Sequence, residues 1–331
     1  MSGFLRKFAR AGMVIAVALV AFSGQNIARA QDAYAKLRAQ DLRLQTIAER
    51  LMIANSALCE DRTRSTGMVI HSRDQYPQPP AGWFSGGTIA VAAIVPGSTA
   101  DRAGILPDDV ILSANGIDMS TLTAAGDTPG RDRAFEILAI PVEQNPLELL
   151  VRRADQTFGS VLDAPAACRV LVEIVSSDET IARTDGKVLQ ISSALARSVA
   201  DDELAVIVAH ELAHVVLAHR RRLRSAGVSK GLLGELGRNQ QLNRQVEVEA
   251  DLLSVHLLAN AGYDPRLAEV FWRSDAGRRA GGGILPSTTY PSASARGDLV
   301  AREITDFLPF GAHPTMPMHL LRLRDISFTE M

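Results

Sequence analysis

Within Val208–Val216, VAHELAHVV, two histidines stand four residues apart in an otherwise apolar run, and a glutamate follows the first. Burying three polar side chains in such a run is costly unless each finds a partner. A metal ion would satisfy all three. On a helix, His210 and His214 are one turn apart and leave the same face about 6 Å apart along the axis. That separation suits two ligands on one tetrahedral ion. Glu211, rotated by about 100°, sits beside the ion, where it can take a proton from water. His-Glu-x-x-His on a helix is the zinc-peptidase pattern for these reasons.

Five residues can match by accident, so a third ligand is required. Thirty-three residues after His214 comes Glu247-Val-Glu-Ala-Asp251, in a helical pattern from about Asn243 to Asn260 that Gly262 stops. Glu247 and Asp251 share a face of that helix. Glu247 would complete the triad, and Asp251 would accept the free ring N–H of a ligand histidine and fix its tautomer. The bland reading of Glu247 is a solvated helix carboxylate. Glu249, about 200° around the helix from Glu247, is assigned to the surface.

These side chains need elements to hold them. Asp201, Asp202 and Glu203 open the first helix, and Arg220, Arg221, Arg222 and Arg224 follow its end, so both ends complement the helix dipole. Residues 31–58 read as another helix, with Leu37, Leu44, Ile47, Leu51 and Leu58 at helical spacing. From Thr66 to Asp163 the character changes to short β-like runs: Ile89–Val95, then Leu106–Leu112, then the hairpin signal Asn115-Gly116. Arg131–Ala139 has helical spacing, and Leu147–Arg153 with Thr157–Leu162 suggests a closing hairpin. Further strands are expected at Cys168–Val175 and Asp185–Ile191, before the chain turns mostly helical. A Gly/Ser/Pro-rich stretch, 281–297, reads as a surface loop, either a lid or a segment without a role.

The run PGSTADRAGILPDDVILSANGIDM (Pro96–Met119) resembles PDZ domains, with Thr99 where proline is commoner and Asp108 where glycine is usual. The resemblance implies a β-rich module that captures an extended peptide as an added strand. Thr66-Gly-Met-Val-Ile70 is either its loop for a peptide carboxylate or an ordinary turn before a strand.

The string DDELAVIVAHELAHVVLAH followed by EVEAD resembles the HtpX-like and CAAX-prenyl-protease gluzincins, from roughly Cys168 to Arg324. The resemblance implies that His210, His214 and Glu247 hold one zinc ion, that Glu211 is general base and acid, and that Asp251 stands behind the ligands. The family's His-Pro-x-x-x-x-Arg element is matched by His313, with His319 at the arginine position. In the family that histidine stabilises the oxyanion or closes the metal's open position as a latency switch, and the resemblance implies one of these roles for His313. His319, when protonated, or Arg322 would have to replace the arginine. Ile181 stands where the family's edge strand often begins with asparagine, which implies altered substrate positioning. His219 lies off the ligand face and is expected to be exposed. His71 and His256 read as ordinary surface or satisfied core histidines.

The 331 residues are 47% hydrophobic and 22% charged, an ordinary globular composition. Arg6, Lys7 and Arg10, the apolar run Ala11–Phe22 and then Ala28-Arg29-Ala30 have the layout of a secretory signal; the alternative is an uncleaved anchor. Cleavage near Gln31 would leave 31 basic and 37 acidic residues and no further membrane span. No basic stripe interleaved with aromatics suggests a nucleic-acid partner. Cys59 and Cys168 are read as a disulfide, against two buried thiols.

The expected organisation is α+β: a signal peptide (1–30), an N-terminal helix of the catalytic domain (31–65), a PDZ-like insert (66–163) and a mainly helical gluzincin domain with a small sheet (164–331). The expected function is a periplasmic or secreted zinc endopeptidase acting on unfolded or extended polypeptides, with peptide C-termini captured by the insert. The alternative is a latent or chaperone-like peptide binder with a closed zinc site.

Overall fold

A computed structural model describes residues 31–126, 128–141, 146–228, 238–280, 291–308 and 314–328. The signal-like segment, His313 and most of the 281–297 stretch lie outside the described residues. The fold is α+β.

Helix α1 covers residues 31–54, and the larger of two compact units begins at Gln40. Its apolar stripe is buried through Leu44, Ile47, Ala48, Leu51 and Met52. The helix stops short of the periodic pattern, and a separate tight turn, Ser56–Leu58, carries Leu58 into the core. A stem follows. Strand β1 (Arg62–Arg64) pairs antiparallel with β8 (Ala166–Cys168), and Cys59 is disulfide-bonded to Cys168 with Cα atoms 5.5 Å apart.

The β-rich module fills the chain between the two stem strands. It contains β2 (Met68–Ser72), β3 (Ile89–Ile94), a short helix α2 (Thr99–Arg102), β4 (Val110–Ala114), β5 (Ile117–Asp118), helix α3 (Gly130–Leu138), β6 (Leu147–Arg153) and β7 (Gln156–Leu162). The sheet order is β2-β3-β4-β6-β7, with β5 paired to β4 through the Asn115-Gly116 turn. Both turn residues have positive φ, 48° and 78°, as a two-residue hairpin requires. Leu147, Leu149 and Val151 alternate inward on β6 and join Ile89, Val91 and Ile111 in one core with Ala134 and Leu138 of α3. Asp108, at the position where glycine is usual, has φ 70°, a conformation that aspartate tolerates better than most residues. Gly67 precedes the outer strand β2 with φ +82°, and a Cβ there would stand 2.1 Å from Ser98 Cβ, so only glycine fits.

The second half carries a three-stranded sheet of β9 (Leu171–Val175), β10 (Ala182–Thr184) and β11 (Val188–Ser192) in the order β10-β11-β9. β10 pairs antiparallel and β9 parallel with β11. Among the described residues eight helices follow: α4 (Ser193–Ser198), α5 (Asp201–Val216), α6 (His219–Ser225), α7 (Arg238–Asn260), α8 (Arg266–Arg273), α9 (Asp275–Ala280), α10 (Ala293–Phe307) and α11 (Met318–Leu321). Helix α5 is central, with Leu204, Val206, Val208, Leu212 and Val216 almost fully buried. It packs beside α7, and α10 packs against both α7 and α8. Among the described residues no helix is long and apolar enough to cross a membrane.

Candidate metal centre

Helices α5 and α7 bring three donors together. His210 Nε2 and His214 Nε2 lie 3.1 Å apart. Glu247 offers one carboxylate oxygen 3.3 Å from His210 Nε2 and the other 3.6 Å from His214 Nε2. A tetrahedral zinc with bonds of about 2.0–2.1 Å separates its ligand atoms by roughly 3.3 Å. The donor set therefore fits one ion.

The protons on the two rings can be assigned from their outer partners. His210 Nδ1 lies 3.0 Å from Asp251 Oδ1. Asp251 is itself held by Arg296, whose Nε and Nη2 lie 2.5 and 2.7 Å from its two oxygens. A carboxylate so gripped accepts, so His210 donates from Nδ1 and leaves Nε2 to face the centre. On the other ring, His214 Nδ1 lies 2.8 Å from His219 Nδ1, and His219 Nε2 lies 3.0 Å from Glu249 Oε2. Glu249 also takes Arg222. His219 donates to Glu249, accepts from His214 Nδ1–H, and turns the His214 lone pair inward as well. Two lone pairs and a carboxylate thus converge where only a cation can reconcile them.

Electrostatics say the same. Burial disfavours a charge on His210, yet Asp251 and Glu247 outweigh it and push that imidazole up to about 10. In the ion's absence a proton takes its place, and binding the ion must expel that proton. Burial holds His214 well below its ordinary value. Glu247 stays ionised despite burial, because His210, His214 and Arg296 hold it down. Glu211 has no such cation of its own. Burial, helped by the Glu247 charge, pushes its carboxyl up to about 7 against His210 and Arg296. Glu211 lines a pocket of about 360 Å3 together with His214, Glu247 and Ala182, Arg183 and Thr184 of β10.

Two expectations are corrected. His219 is buried, at 2% exposure, rather than exposed. The helical wheel assumed one continuous helix, but Ala218 has φ +51° and breaks it, so that α6 folds His219 back onto His214. Glu249 is buried too, at 4% exposure. It does point away from Glu247, but α6 covers that side of α7 and supplies His219 and Arg222. Two arginines of the basic cluster after α5 are accordingly spent on pairs. Arg222 meets Glu249 and stacks on Phe328, and Arg221 pairs with Glu60.

Arg296 escaped the sequence reading because composition assigned it to a loop. Ser292 caps α10, accepting from Ala295 N–H, and Arg296 lies within the helix, buried over the Trp272 ring at 3.5 Å. A capping serine was the available signal. His319, at the family's arginine position, reaches Glu303, at 2.7 Å. His313 lies outside the described residues.

Residues 90–127 match the PDZ domain family model. Two curated proteins are similar over part of the chain. The mitochondrial metalloendopeptidase OMA1 of Arabidopsis thaliana is 28% identical over 139 residues, 35% of this chain and 27% of that protein. The mitochondrial metalloendopeptidase OMA1 of Schizosaccharomyces pombe is 30% identical over 144 residues, 38% of this chain and 42% of that protein. The chain thus spans less than half the length of these relatives. Among solved structures, the HtrA3 PDZ domain bound to a phage-derived ligand is similar at 21% identity and a TM-score of 0.23, covering 32% of this chain and 88% of that one.

Proposed function

We propose that this chain is a zinc metalloendopeptidase of the HtpX-like type, in which His210, His214 and Glu247 hold the ion. The observation that carries this reading is the convergence of three electron-pair donors whose outer hydrogen bonds are already committed. The similarity to two metalloendopeptidases supports it. A zinc ion at such a centre supplies Lewis acidity, lowering the pKa of water from near 16 to about 7 and polarising a carbonyl.

The chain's own residues do the rest. Glu211, beside the donors and facing the pocket, accepts a proton as water attacks the peptide carbonyl, and then delivers it to the leaving amine nitrogen. Burial raises this carboxyl to about 7 in the metal-free chain, and a bound cation would lower it toward the base form that the first transfer needs. Asp251 and the His219–Glu249 pair hold the two imidazoles in the ligand tautomer. Strand β10 forms one wall of the pocket, where an extended substrate can lie. His313 is assigned to the oxyanion on the family resemblance.

The PDZ-like module would capture substrate. Its support is the family match and the outermost position of β2 among the described strands, where a peptide strand could add. The compartment is proposed to be the periplasm or the exterior, from the signal-like segment and the Cys59–Cys168 bridge. The test is casein cleavage by the purified chain, abolished by a chelator and restored by zinc. Cleavage that persists in chelator would refute the metallopeptidase reading. Excision of residues 66–163 should spare hydrolysis of a short peptide but slow that of casein; equal loss of both would refute capture.

A further inference from the structure

Among the described residues, a second group of metal-capable side chains converges away from the first: His256 of α7, Glu303 of α10 and His319 of α11. Glu303 Oε1 lies 2.9 Å from His256 Nε2 and 2.7 Å from His319 Nε2. His256 and Glu303 are buried, whereas the His319 side chain keeps 35% of its surface exposed and stacks on Phe307.

Protons in this group follow from its far end. The Asn55 amide donates to the carbonyls of Leu51 and Leu257, at 2.9 and 3.0 Å, which leaves its Oδ1 to accept from Asn260 Nδ2 at 2.9 Å. Asn260 Nδ2 also donates to the Thr315 carbonyl, at 3.0 Å. Asn260 Oδ1 is then the acceptor for Thr315 N–H, at 2.6 Å, and for the Thr315 hydroxyl, at 3.2 Å. The Thr315 hydroxyl has one proton. Given to Asn260, it leaves Oγ1 to accept from His256 Nδ1–H at 3.1 Å. Given to His256 Nδ1, it puts the His256 proton on Nε2, toward Glu303, and the group closes without an ion. A neutral His256 held the first way carries its lone pair on Nε2, the atom that faces Glu303. In that first arrangement two electron pairs face each other at 2.9 Å, and a cation between them removes the repulsion.

A proton or a metal ion would serve. With Thr315 donating to Asn260, a proton makes His256 a buried imidazolium against a buried carboxylate, at a large desolvation cost. An ion takes all three donors at once. The His256 tautomer, with Nδ1–H donated to an oxygen, is the one that metal-ligating histidines adopt. The exposed edge of His319 offers an entry route, and loading an ion opens the 2.7 and 2.9 Å contacts to the roughly 3.3 Å ligand spacing of a tetrahedral ion. We propose that His256, Glu303 and His319 form a second metal site, for a zinc-class divalent ion, which ties α11 to α7 and α10. Two imidazoles and a carboxylate suit zinc and the other ions that prefer imidazole. The proposal does not rest on the first site.

The test is metal content of the untagged full chain, stripped with a chelator, reloaded with zinc and desalted. Wild-type protein should retain two equivalents, the His210→Ala/His214→Ala double variant one, and Glu303→Gln one. His319→Ala removes the exposed ligand without disturbing a buried carboxylate, and should also retain one if Glu303→Gln fails to fold. One equivalent in the wild type with none in the double variant would overturn the proposal, assigning a proton to the second group. So would wild-type content in both Glu303→Gln and His319→Ala.

Discussion

The two histidine–carboxylate groups present the same donors, two Nε2 atoms and one glutamate, but their surroundings differ in charge. Behind the first, each imidazole ends on a carboxylate: His210 on Asp251, and His214 on Glu249 through His219. Two arginines, Arg296 and Arg222, steady those carboxylates. Behind the second, His256 ends on neutral groups, Thr315 and then Asn260. A ring that donates to a carboxylate is a more basic ligand than one that donates to a hydroxyl. The first group also has Glu211 beside it, buried, without a cation of its own, and facing a pocket. Among the described residues no such spare carboxylate is part of the second group. On the proposed readings, identical donors equip one place for hydrolysis and the other for holding helices together.

The largest effect should come from the spare carboxylate. Glu211→Gln keeps the shape but loses the base, so peptide hydrolysis should fall by about 10²–10⁴-fold with zinc content unchanged; rapid turnover in that variant would erase the distinction between the groups. The same carboxyl sets a pH dependence. Its raised value means that the base form is lost as pH falls through about 7 in the metal-free chain, and a bound cation moves that loss lower. The acid limb of kcat/KM should therefore lie at or below about pH 7 and fall about tenfold per unit. A rate independent of pH down to 4 would exclude Glu211 as the base.

A smaller effect tests the backing. Asp251→Asn should weaken zinc binding at the first group by about 10–100-fold, read by competition with a chromogenic chelator. Thr315→Val removes only a neutral acceptor, and its effect should stay below about tenfold and be confined to the second group. Equal losses from the two substitutions would show that the charge of the backing does not matter.

Much of the first group was legible because its donors sit at helical spacing. His210 and His214 are four apart, as are Glu247 and Asp251, and period alone places each pair on one face. Strand and turn chemistry likewise announced the β6–β7 hairpin and the Asn115-Gly116 turn. The failures share a cause. His219 and Glu249 were judged on ideal, isolated helices, whereas a left-handed residue at Ala218 and the packing of α6 decide where they go.

The amino-acid order by itself determined the local pieces: which residues share a face, where helices are capped, and which side chains have metal-ligand chemistry. Only the tertiary structure decided which distant pieces meet. It set Arg296 against Asp251 across 45 positions and His256 against Glu303 across 47. Local spacing is fixed by the geometry of a single helix. Contacts between helices depend on how whole apolar faces pack, and no short window of sequence contains both partners.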